Sequence, residues 1–112
     1  MIIILREKAT PTDLNQKQEV YAGFIKIAVD IRRKVLAGGG EMHSDCKGVL
    51  LEDGSAQDDV WGANWYPDEQ VVEFESLINI RPELGNRSIV IQDEKIRAMV
   101  ETITTDLLGG VK

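Results

Sequence analysis

Apolar residues recur along this chain at two periods, two and about 3.6, and the switches between them mark out its elements. Ile2, Ile3, Ile4 and Leu5 form a short apolar run that reads as a buried strand, closed by the charged Arg6, Glu7 and Lys8. Thr10-Pro11-Thr12-Asp13 carries a helix start, with Thr10 as N-cap, Pro11 at the first helical position and Asp13 at the positive end of the dipole. Only Leu14 and Tyr21 mark an apolar stripe behind it, so this helix is expected to be short. Over 24–31 the period is two: Ile25, Ile27, Val29 and Ile31 face one way, Phe24, Lys26, Ala28 and Asp30 the other. That alternation predicts a strand, and Arg32-Arg33 turns it into a second one at 34–37, a hairpin whose turn lacks Gly or Asn.

Gly38-Gly39-Gly40 leads into a helix predicted over about 41–53, where Met42, Cys46, Val49 and Leu50 form a stripe and Gly54 ends it in the left-handed conformation. Residues 61–65 and 70–75 flank a turn at Tyr66-Pro67-Asp68-Glu69 and read as a second hairpin. Residues 77–80 are expected to prolong its second strand until Pro82, before a polar loop at 83–87 and a short extended piece at 88–91. Asp93 caps a last helix whose stripe is Ile96, Met99, Val100, Ile103 and Leu107, and Gly109-Gly110 ends it. The order is β-α-β-β-α-β-β-α. It predicts an α+β fold with one mixed β-sheet of about five strands, built from two hairpins plus the N-terminal strand, and about three helices packed on it. No repeat or linker divides residues 1–112, so a single domain is expected.

Composition narrows the function. The 112 residues carry a net charge of -6, which disfavours naked nucleic acid and anionic membrane surfaces as partners. One cysteine, Cys46, rules out an internal disulfide and a four-cysteine zinc site, and makes the cytoplasm the expected compartment. The apolar start is too short for a signal sequence or a membrane span. A Cys46–His43 nucleophile pair is unpromising, because Cys46 lies in an apolar stripe where burial raises its pKa. No G-x-S-x-G elbow is present, and Pro67-Asp68 with Glu73 and Glu75 lacks the lysine of the related nuclease pattern.

Four groups of residues remain as candidate chemistry. Gly39 and Gly40 before a helix N-terminus suggest a phosphate cradle, although Glu41 and Asp45 would repel an anion there. Glu41, Asp45 and Glu52 share one side of the same helix and form a candidate set for a divalent cation such as Mg²⁺ or Ca²⁺; no other cofactor is expected. Asn79 and Arg81, with Asn86 and Arg87, surround a Pro/Gly-bounded loop and could hold a carboxylate or phosphate through the arginine fork, or instead satisfy turn backbone and nearby acids. Trp61 and Trp65 lie on one strand face, as core or as anchors of a homodimer or partner interface. Asp30, at a strand end, could be a ligand or neutralise Arg32 or Arg33.

Several segments read together resemble a known pattern: Val29-Asp30, residues 36–45 and 50–55, Trp61-Gly62, Ile78-Asn79-Ile80-Arg81-Pro82 and Gly85-Asn86. They resemble a family of small bacterial proteins known only as a domain of unknown function, over nearly the whole chain. The resemblance implies that the Gly-rich helix start and the Asn-Arg-Pro segment belong to one recurring pattern, with Cys46-Lys47-Gly48 a departure from it. The expectation is that His43 and Asp45 converge with Arg81, Asn86 and Arg87 on one polar cleft. The first functional class is a binding or protein-interaction domain, for a protein partner or a small anionic ligand. The alternatives are a metal-dependent hydrolase using Glu41, His43, Asp45 and Glu52, and an acidic regulator that masks a basic partner.

Overall fold

The fold is built outward from the alternating strand. The computed structural model describes residues 2–15, 20–21 and 23–111, with the side chains of residues 14, 15, 20 and 21 outside that description. The Leu14 and Tyr21 stripe therefore falls outside the described side chains; the helix expected there, α1, runs Pro11–Asn15. β3 (Phe24–Asp30) is the central strand, with β4 (Val35–Gly38) along one edge and β5 (Val60–Tyr66) along the other. β1 (Ile3–Leu5) lies outside β4, β6 (Val71–Glu73) outside β5, and β2 (Val20–Tyr21) pairs with Phe24 and Ile25. The order is β1-β4-β3-β5-β6, with β2 beside β3 as a sixth strand.

Every one of these pairings is antiparallel, which corrects the mixed sheet expected from the sequence. The chain does contain a β-α-β crossover, from β4 through α2 (His43–Glu52) to β5, but β3 lies between the two strands it joins. The α+β class stands. Among the described residues no helix is long and apolar enough to cross a membrane.

The two sides of β3 are covered by different helices. α3 (Glu94–Leu108) buries Val100, Ile103, Leu107 and Leu108 on Ile25, Ile27 and Val29 of β3, and on Trp61 and Trp65 of β5. α2 covers the opposite face through Cys46 and Leu50, against Ala28, Val35, Ala37 and Val60. Each large side chain sequestered in this way is worth about 1.5–3 kcal/mol of transfer free energy. Trp61 and Trp65 are 2% and 1% exposed. This corrects their reading as interface anchors: the odd-numbered residues of β5 point under α3, and neither indole reaches the surface.

Local chemistry sets the element ends. Asp93 Oδ1 accepts from the backbone N–H of Lys95 and Ile96 and starts α3. The β3–β4 turn, which has no Gly or Asn, forms because Lys34 takes the left-handed conformation (φ 59°) and Asp30 holds the turn from within. Asp30 Oδ1 accepts from Arg32 N and Arg33 N, both at 2.9 Å, so this strand-end carboxylate belongs to the turn. The expected extension of the second hairpin through 77–80 does not form. Ser76 Oγ accepts from Ile78 N at 3.2 Å and turns the chain into a 3-10 turn at Leu77–Asn79, followed by another at Pro82–Leu84 that Gly85 closes at φ 79°.

Candidate functional site

The residues of the Asn-Arg-Pro loop point inward. Asn79, with no exposed surface, sits where β6 has ended and does what a strand backbone would do there. Its Oδ1 accepts from Gly62 N at 2.8 Å, and its Nδ2 donates to Gly62 O at 2.9 Å and Ile89 O at 3.1 Å. Position 62 has to be glycine, because a Cβ there would stand 2.5 Å from the Ser76 side chain. Asn86 Nδ2 donates to the carbonyls of Asn79, Ser88 and Val90, and its Oδ1 accepts from Gln92 N. The Arg81 guanidinium donates to the carbonyls of Gln57, Val60 and Ile78 and lies 4.6 Å from the Trp61 ring centroid. Asn79, Arg81 and Asn86 are thereby corrected from ligand groups to the partners of otherwise unsatisfied main chain. Arg87 is exposed, and its backbone N–H donates to Gln92 Oε1 at 2.9 Å.

The other sequence candidates also separate. Gly39 and Gly40 are buried; Gly39 adopts φ 97°, and a Cβ on Gly40 would meet Ile2 and Cys46 at 3.1–3.2 Å. They form a close strand-to-helix connection rather than a phosphate cradle. Glu41, Asp45 and Glu52 are exposed, and among the described residues no group of three His, Cys, Asp or Glu side chains is gathered to hold a metal. The carboxylate stripe is corrected to a solvated helix face. Cys46 is buried, its Sγ 3.7 Å from Lys26 O, and burial pushes its thiol pKa up, as the stripe implied.

His43 is different. It is the first residue of α2, and its ring reaches across the sheet to β5. Nε2 lies 3.0 Å from Ala63 O and 2.8 Å from Asn64 Oδ1. The Asn64 amide is oriented by its own donations, from Nδ2 to Glu73 Oε1 at 2.9 Å and to Glu75 O at 3.3 Å. Both neighbours of Nε2 are therefore oxygen acceptors, so Nε2 carries the proton and Nδ1 is the acceptor of the neutral ring. His43 lines a cavity of about 320 Å³ whose wall includes Lys26, Met42, Ser44, Leu77 and Ile78. Met42 and Leu77, 55% and 74% exposed, make an apolar rim. A second cavity, of about 540 Å³, adjoins it through the shared Ser44 and Ile78 and carries Lys47, Asp58, Glu83 and Arg81. His43 and Arg81 thus line neighbouring cavities that share Ser44 and Ile78, and Asp45, Asn86 and Arg87 line neither, so the single polar cleft expected from the sequence does not form among the described residues.

A family model described as "Protein of unknown function (DUF5674)" matches residues 3–107. The chain belongs to the DUF5674 family. Comparison with curated proteins and with solved structures gives no match.

In this DUF5674 domain the residues that shape the cleft were mostly not singled out by sequence: Lys26, Met42, Asn64, Ser76 and Leu77. Asn64 carried a signal. It is a lone amide in an otherwise apolar strand, on the face opposite Trp61 and Trp65, where a polar group must find a partner.

The state of His43 is open to direct measurement. Burial lowers its pKa from the ordinary 6.5, opposed by the bonds to Asn64 and Ala63 and aided by the charge of Lys26. The unfolded chain then takes up the proton first as pH falls, so stability declines as pH drops through 6.5 toward the lower folded value. Long-range ¹H–¹⁵N spectra of the imidazole are expected to show the Nε2–H tautomer at pH 7 and a midpoint under 6.5. A midpoint above 6.5, or an Nδ1–H tautomer, contradicts the bonding described.

Proposed function

We propose that this DUF5674 domain is a ligand-binding module whose site is the His43 cleft. The observation that carries the reading is that His43 lines the cleft with its ring fixed through Nε2, which makes Nδ1 the acceptor of the neutral ring, beside Lys26 and an apolar rim. Such a wall suits a small molecule that brings an N–H or O–H donor to Nδ1, an apolar flank to Met42 and Leu77, and negative charge toward Lys26. Pockets that mix apolar surface with a few convergent polar groups are the usual form of small-molecule sites. The hydrolase reading finds no support, because Glu41, Asp45 and Glu52 do not converge with His43 on one ligand set.

A fragment library screened by ¹H–¹⁵N correlation spectra tests this. Hits are expected to shift Met42, His43, Ser44 and Leu77, and donor-bearing hits should weaken roughly tenfold or more when the donor is methylated, since each contact to a buried polar group is worth about 1–3 kcal/mol. His43→Phe should weaken the same fragments. Hits that avoid the cleft, or bind it equally after methylation, defeat the proposal.

A further inference from the structure

β6 is the rim of the sheet, and only half of its outer side is covered. Residues 88–91 run beside the chain that follows β6: Ile91 N donates to Phe74 O, Ser76 N donates to Ile89 O, and Glu75 bridges Val90. In a strand the N–H and C=O of one residue point to the same side, and the side alternates along the chain. Phe74 and Ser76 therefore face outward, and so does Val72, whereas Val71 and Glu73 face β5. Asn64 Nδ2 bonding Glu75 O agrees with that parity. Among the described residues the outer column ends at Ile91, and the same parity turns the N–H and C=O of Val72 outward, at the wall of a cavity of about 630 Å³.

That cavity is acidic. Glu69, Glu73 and Glu75 line it with Tyr66 and Phe74. None of the three carboxylates makes an ion pair among the described residues. Among the described residues the Glu73 carboxylate accepts from Asn64 Nδ2 and the Tyr66 hydroxyl. The Tyr66 phenol is pushed up in pKa by burial and then by Glu73, Glu75 and Glu69. The cation in the wall, Arg97, lies over Phe74 at 4.9 Å from the ring centroid, an example within this chain of the group the surface attracts.

We propose that the outer side of β6 accepts a basic, extended segment of a protein partner as an added strand, in line with residues 89–91. The partner's main chain bonds Val72, and its lysine or arginine side chains meet Glu69, Glu73 and Glu75. An added strand draws affinity from main-chain bonds and selectivity from the side chains that flank it. Two copies of this chain would not pair here, since β6 against β6 would bring the same carboxylates together.

The probe is a short peptide alternating lysine and valine, titrated into the ¹⁵N-labelled domain at low salt. The expected result is binding at about 0.1–1 mM, with shifts centred on residues 71–75 and slowed exchange of the Val72 amide. Glu69→Gln with Glu75→Gln should weaken it roughly tenfold, as should ~0.3 M salt. A glutamate–valine peptide should not bind, and alternate N-methylation of the lysine–valine backbone should abolish binding with the charge intact. Equal binding of the N-methylated peptide or of spermine at these residues overturns the added strand. Binding of the acidic peptide overturns the charge argument. Concentration-dependent dimerisation through β6 without peptide, or no shift at ~1 mM peptide, overturns the proposal as a whole.

Discussion

Asn79→Ala is expected to remove about 3–5 kcal/mol of stability and to lower the thermal midpoint by on the order of 12–20 °C. The side chain has no exposed surface, and alanine strands two main-chain groups, Gly62 N–H and Gly62 C=O, and removes one of the two donors to Ile89 C=O, which keeps its bond from Ser76 N. Water has no route to them, so each carries most of its desolvation cost. Asn79→Asp is a sharper test because volume is kept. The second carboxylate oxygen would face the carbonyls of Gly62 and Ile89, so this variant should be damaged at least as much as the alanine. Calorimetry of both decides the matter, and a midpoint within about 3 °C of the parent would show that Asn79 does not serve as a substitute strand.

Asp30→Ala is the second large effect, at about 3 kcal/mol. Its carboxylate is fully buried and takes two charge-assisted bonds from the turn backbone at Arg32 and Arg33. The other oxygen, Oδ2, has no hydrogen-bond partner among the described residues and lies 3.9 Å from Arg33 Nη1. That geometry separates a turn role from a ligand role. In Asp30→Asn the amide oxygen can still accept from both backbone N–H groups, so this variant is expected to stay within about 1 kcal/mol of the parent. Urea melts at neutral pH measure both variants. A loss in Asp30→Asn as large as in Asp30→Ala would mean that the negative charge, rather than the turn bonds, is what the fold requires.

Elements with a clear period were legible from sequence. The β3 alternation, the two hairpins, the α2 stripe at Cys46 and Leu50 and the α3 stripe at Val100, Ile103 and Leu107 with its Asp93 cap stand in the structure, whereas Met42 and Met99, expected in those stripes, are 55% and 41% exposed. β2, at two residues, is too short to carry a period. Ile78 and Ile80 suggested a strand by type, but Ser76 Oγ and Pro82 imposed 3-10 turns instead. The larger misreading concerned polar residues in loops. Asn79, Arg81 and Asn86 look like ligand groups because loops usually face water, and nothing local to them shows that this loop folds against the open flank of β5. The acidic neighbours of His43 suggested a metal, whereas its ring is bonded to Asn64, 21 positions away, a partner that nothing near it in sequence indicates.

The position of β3 between β4 and β5 also bears on how the chain acquires its structure. Asp30 faces Val35 across a tight turn, but faces Val60 only after the whole of α2 has been laid down. The first pairing closes a small loop at low entropic cost, and the second closes one several times longer. The β3–β4 hairpin can therefore form early as a local unit, whereas attachment of β5, with its two indoles, waits on a long-range search. Non-local pairing of that kind sets the pace of folding, which makes the β3–β5 seam the natural rate-limiting step of assembly.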